Sequence, residues 1–76
     1  MMAWQGEKMK LSARNQIMGF VKSVKLGNVM AEVVVDIGGN EMVAAITRQS
    51  AEGLNLQTGK PVTVIIKSTE VMLATD

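Results

Sequence analysis

The sequence predicts an all-β domain, a small and partly open Greek-key barrel of five strands with one short helical turn between strands three and four. Three observations carry this. β-Branched residues crowd into short runs, Val33-Val34-Val35 and Val64-Ile65-Ile66 among them, and such side chains suit a pleated, half-buried surface. Gly27-Asn28 and Gly38-Gly39-Asn40 separate the first three runs at hairpin spacing. At 76 residues the chain has room for a single hydrophobic core.

Residues 1–8 show no sustained periodicity and include Gly6, so they read as a flexible leader ahead of a domain at 9–76, with Met9 as an alternative start. From Gln16 to Leu26 the residues alternate imperfectly. Met18, Phe20, Val24 and Leu26 fall on one face and Ile17, Gly19 and Val21 on the other, which makes strand one. Val29 to Ile37 follows the first hairpin as strand two, and Glu41 to Thr47 follows the second as strand three. Thr47 or Ser50 then caps one helical turn through Ala51 and Glu52, ended by Gly53. Leu54 and Leu56 read as the plug that anchors this turn to the core. Pro61 sits at a strand start, where its missing N–H is tolerated, and Val62 to Lys67 is strand four. After the polar break Lys67-Ser68-Thr69-Glu70, Val71 to Thr75 is strand five. This order matches the OB barrel, and a small barrel of the SH3 type is the alternative.

Strand two is apolar on both faces, with Val29, Ala31, Val33, Val35 and Ile37 on one side and Met30 and Val34 on the other. In a domain too small for two cores the second face is expected to meet another subunit, the alternative being an ordinary strand with a couple of tolerated exposed hydrophobes. Stability argues the same way. A chain of this length buries only about 60% of its unfolded surface, and with no Cys and no His it has neither disulfides nor the usual thiolate and imidazole metal sites. Oligomerisation is the stabilising device left.

Composition also narrows function. Eight basic residues against seven acidic ones give a net charge of +1, too even for the electrostatic footprint of a nucleic-acid binder. Trp4 and Phe20 are the only aromatics, so stacking platforms are lacking too. No apolar run approaches the ~20 residues of a membrane span, and no signal-peptide core stands at the N-terminus. A cytoplasmic protein is the expectation. Gly53 to Pro61 imitates a phosphate-binding loop, but five residues separate its glycines and Pro61 follows the lysine where a hydroxyl is required. Glu32, Asp36, Glu41, Glu52 and Glu70 are scattered without pairing. The seven methionines, Met18, Met30, Met42 and Met72 among them, read as core filling in strands. With no activated nucleophile identifiable, the chain reads as a binding protein and not an enzyme.

Two polar segments remain. Ser12-Ala13-Arg14-Asn15 stands just ahead of the first apolar run and offers a hydroxyl, a guanidinium fork and an amide, donors suited to an oxyanion. Lys67-Ser68-Thr69 adds a point charge and two hydroxyls or backbone N–H groups. Alone, each is equally well a turn or a solvated bend. They make one site only where the fold, or a subunit partner, brings them side by side.

Taken in order, Ser12-Ala13-Arg14-Asn15-Gln16, Val43-Ala44-Ala45-Ile46-Thr47, Leu54-Asn55-Leu56 before Gly59-Lys60, and Ile66-Lys67-Ser68-Thr69-Glu70-Val71 resemble the molbindins. These are small stand-alone molybdate-binding proteins built from one Mop domain of OB type. The resemblance covers Met9 to Thr75. It implies a hexamer, a trimer of dimers, with oxyanion sites at subunit interfaces and no direct metal ligation. It further implies that Ser12, Ala13 (through its backbone), Arg14 and Asn15 of one chain face the anion with Lys67, Ser68 and Thr69 of another. The function implied is storage or buffering of molybdate, with tungstate, nearly its equal in size, bound comparably. The alternative is a regulatory module that senses molybdate and contacts a regulator or transporter. A fully deprotonated oxyanion only accepts hydrogen bonds, so an all-donor site suits it. Alternation along an extended strand would turn Glu70, the one nearby acid, away from Lys67.

Overall fold

The computed structural model describes residues 13–76; the expected leader at 1–8 and Ser12 lie outside the described residues. Strand β1 runs Asn15–Leu26, β2 Met30–Asp36, β3 Glu41–Thr47 and β4 Pro61–Ile66, with helix α1 at Arg48–Gly53. The strands form one antiparallel sheet in the order β3-β2-β1-β4. Three hairpin-linked strands and a fourth that returns beside the first make a Greek key. The sheet curls into a half-barrel.

β1 explains its own imperfect alternation. Val21 pairs with Val35 and Ser23 with Val34, so Lys22 is the extra residue of a β-bulge. One added residue reverses the phase of everything after it. Val24, expected on the face of Met18 and Phe20, instead packs against the core formed by Val21, Val33 and Val35. Around those three buried side chains lie the partly buried Ile37, Ala44, Ile46, Leu56, Val62 and Val64. The core is therefore fullest under β1 and β2 and thins toward both edges of the sheet.

The turns follow from local chemistry. The Asp36 carboxylate accepts from the Gly38 N–H at 2.9 Å, and Gly38 and Gly39 take φ of 92° and 95°, a region that side chains with a Cβ rarely enter. Thr47 caps α1, its hydroxyl oxygen accepting from the Ser50 N–H at 3.0 Å. The Lys60 ammonium donates to the carbonyls of Leu54 at 2.7 Å and Asn55 at 3.2 Å, satisfying acceptors just past the helix. Of the expected Leu54–Leu56 plug, only Leu56 reaches the core; Leu54 is exposed. Leu54 is the C-cap of α1, and the left-handed Asn55 after it turns the chain so that the Leu56 N–H donates to the Ala51 carbonyl and its side chain meets the core.

Two further expectations need correction. The sheet has four strands and not five, because Val71 to Thr75 pairs with nothing among the described residues. A 3-10 turn at Ser68–Glu70, closed by the Glu70 N–H donating to the Lys67 carbonyl at 2.9 Å, swings the chain off the line of β4. Met72 and Leu73 beyond it are 92% and 93% exposed. The methionines are not uniformly core filling either. Met42 is half-buried, but Met18, Met30 and Met72 are exposed, since they fall on the outward phase of β1 and β2 or beyond the sheet.

Candidate functional site

The geometry that matters is the pairing of β1 with β4. Asn15 lies opposite Ile66 in an antiparallel register, so Arg14, one residue before, stands beside Lys67, one residue after. Arg14, Lys67, Ser68 and Thr69 line a single depression. The two polar segments thus meet within one chain at one end of the sheet.

Each contributor is set by its element. Arg14 continues the outward phase of Gln16, Met18 and Phe20, and is exposed like them. Lys67 continues the outward phase of Ile65. Ser68 and Thr69 open the 3-10 turn, whose first N–H groups have no acceptor inside the turn itself. Glu70 does not line the depression, although the reason differs from the one expected: it sits in a helical turn and not on an extended strand.

The remaining predicted residues fall differently. Asn15 is half-buried, in phase with Ile17 and Gly19, and neither it nor Ala13 lines the depression. The carbonyl of Ala13 accepts from the Gln16 side-chain amide at 3.2 Å, a local bond that spans Arg14. Gln16 belongs to the Ser12–Gln16 segment that carries the resemblance but was not among the expected site residues. Its signal is its two-residue spacing from Arg14, which puts both on one face.

Electrostatically the depression is positive. Two cations line it, and among the described residues the ion pairs lie elsewhere, Lys22 with Glu41 and Arg48 with Glu52. Donors without a carboxylate suit an anion that brings no proton of its own. The depression measures about 470 Å³. Four oxygens of roughly the ~30 Å³ that a water takes up in the liquid fill only about 120 Å³, so a tetrahedral oxyanion would touch one wall and face solvent. Among the described residues no group of His, Cys, Asp and Glu is placed to hold a metal ion, and no helix is long and apolar enough to cross a membrane.

Comparison with known proteins gives the family. Residues 11–73 match the TOBE domain. The chain is 47% identical over 66 residues to molybdenum-pterin-binding protein 3 of Clostridium pasteurianum, covering 86% of this chain and 97% of that one. It is 46% identical over 69 residues to the molybdenum transport protein ModE of Azotobacter vinelandii, covering 90% of this chain and 26% of that one. Among solved structures, a molybdate-binding protein from Sporomusa ovata superposes with a TM-score of 0.85 at 43% identity, over 88% of this chain and all of the other. The cytoplasmic molybdate-binding protein ModG, with molybdate bound, superposes with a TM-score of 0.76 at 32% identity, over 84% of this chain and 46% of that one.

Proposed function

Starting from a chain that belongs to the TOBE-domain family, we propose that it binds molybdate, or tungstate of nearly equal size, and serves as a cytoplasmic store or buffer for it. The observation that carries this is the convergence of Arg14, Lys67, Ser68 and Thr69 on one depression. Arg14 supplies a planar fork, Lys67 a point charge, and Ser68 and Thr69 hydroxyls and N–H groups. Ser12, Ala13 and Asn15 complete the set, Ala13 through its backbone.

Selection works by two separate means. Phosphate near neutral pH often carries a proton that needs an acceptor, and an all-donor lining offers none. Sulfate is as bare a dianion as molybdate, so it is rejected by size alone, which requires an enclosed cavity. The breadth of the depression in one chain supports an assembly in which a second copy closes it, as in a hexamer built as a trimer of dimers. The chain performs no catalysis in this reading; its work is to hold the anion and release it.

A second reading, a sensor module that contacts a regulator or transporter, is favoured by one observation, the match to about a quarter of the ModE chain. Isothermal titration of anion-free protein with molybdate, tungstate and sulfate tests the main proposal. Heat from the first two and none from sulfate is the expected result, and silence with molybdate and tungstate would end it.

A further inference from the structure

We propose that residues 1–8 dock back on the outward face of β1 in their own chain, with the Trp4 indole packed against Met18 and Phe20. The proposal is independent of the oxyanion reading, and it gives a role to a segment that lies ahead of the TOBE match, which begins at residue 11.

The outward face of β1 carries a small apolar island. Met18 is 72% exposed, Phe20 59% and Ile65 42%. Antiparallel partners stand on one face, so the pairings Gln16 with Ile65, Met18 with Thr63 and Phe20 with Pro61 bring these side chains together. Asp36, opposite Phe20, and the Lys22–Glu41 ion pair bound the island on the side of β2. A stable contact between two protein copies buries about 1,200 Å² or more, and three large side chains bounded by charge fall well short of that. The island suits one short apolar segment.

The segment ahead of β1 has the matching composition. Met1-Met2-Ala3-Trp4 is an unbroken apolar run, and Trp4 is the only tryptophan of the chain. An indole combines a large apolar surface with an N–H that needs an acceptor once it is covered. The groove beside Phe20 meets both needs: Met18, Phe20 and Ile37 wall it with apolar groups, and Asp36 lines it with a carboxylate that accepts hydrogen bonds. It measures about 360 Å³, what about a dozen waters occupy at ~30 Å³ each, and that is ample for an indole. The Met18 thioether adds its own attraction to an aromatic ring.

Connectivity places the two within reach. The segment enters the sheet on the strand that carries the island. Phe20 is seven residues beyond Ala13, about 23 Å along a strand that rises ~3.3 Å per residue. Trp4 is nine residues before Ala13, a reach of at most about 30 Å. One reversal ahead of β1 therefore brings Trp4 to Met18 and Phe20 and leaves only the slack that the turn consumes.

Because Trp4 is the only tryptophan, intrinsic fluorescence of the full chain tests the contact directly. Emission should lie at shorter wavelength than that of N-acetyltryptophanamide, and acrylamide should quench it several-fold less. Met18→Lys combined with Phe20→Lys should return the emission to the free value. Both positions are exposed, so circular dichroism of the double variant should match the wild type. Val43→Lys, at a comparably exposed position on β3, should leave the emission shifted. With isotopically labelled methionine methyls, the Met18 resonance should carry a ring-current shift that Trp4→Leu abolishes. A wild type that emits like the free compound, a shifted emission that the double variant leaves in place, or a Met18 resonance blind to Trp4→Leu would each overturn the docking. Emission that moves to the free value on dilution, as sedimentation shows copies separating, would overturn it too, by putting Trp4 against a second copy.

Discussion

Removing Arg14 is the most direct perturbation of the proposed site. Arg14→Ala deletes one of the two cations that line the depression and leaves Lys67 beside it unchanged. A hydrogen bond to a charged group contributes roughly 1.5–3 kcal/mol, and a guanidinium can place two such bonds on one oxyanion. Exposure of Arg14 in the single chain argues for the lower part of that range, because water screens the charge. The expected loss is about 2 kcal/mol, or about 30-fold in Kd for molybdate by titration calorimetry. Arg14→Lys keeps the charge without the fork and should recover part of the loss. Arg14→Ala combined with Lys67→Ala should depart from the sum of the single effects, because the two groups hold the same anion. Lys25→Ala, on β1 but remote from the depression, is the control and should bind normally. If Arg14→Ala bound molybdate within twofold of the wild type, or Lys25→Ala weakened binding as much, the assignment of the site would be refuted.

Three stability predictions follow from the fold. Gly19→Ala would place a Cβ 2.5 Å from the Asp36 carbonyl oxygen and 2.8 Å from a Val35 methyl; overpacking of this kind costs about 1–3 kcal/mol, readable as a lowered urea midpoint. Thr47→Ala removes the cap that accepts from the Ser50 N–H and should cost about 1 kcal/mol in the same assay. The ammonium of Lys22 is held above its ordinary pKa first by its hydrogen bond to Glu41 and then by that carboxylate's charge. A raised folded pKa means the pair's contribution is present at neutral pH and fades as alkaline pH climbs through it. Glu41→Gln should therefore lower thermal stability slightly at pH 7 and flatten its dependence on pH in the alkaline range.

Local chemistry made most of the fold readable. The Gly27-Asn28 and Gly38-Gly39-Asn40 breaks fall where the hairpins lie, and Thr47 caps the start of the helix as expected, whereas its end is closed not by Gly53 but by Asn55, which takes φ of 55° and donates its N–H to the Glu52 carbonyl. What alternation alone did not fix was its phase after Lys22, because a bulge is defined by the partner strand and β2 is distant in sequence. The same limit applies to Val71–Thr75. Its pattern describes a strand, but pairing is a property of whatever edge is available, and the 3-10 turn withholds its own. Of the site, Arg14 and Lys67–Thr69 were visible as donor-rich breaks beside apolar runs. Their adjacency was not visible, since it depends on the register of Asn15 against Ile66. Nor was the inward turn of Asn15, which follows from its place in the phase of β1.

That register also fixes how the chain enters and leaves its sheet. β1 begins and β4 ends side by side, at the end farthest along β1 from the bulge. A short peptide joining these two points would close the backbone into a ring without crossing the core, and the exposed Gly38-Gly39 turn offers a place to cut it open again. The same nearness lets copies be strung head to tail on one polypeptide through brief linkers. Concatenation of the unit, and hence control over the number and order of the proposed anion sites, is a manipulation the topology already permits.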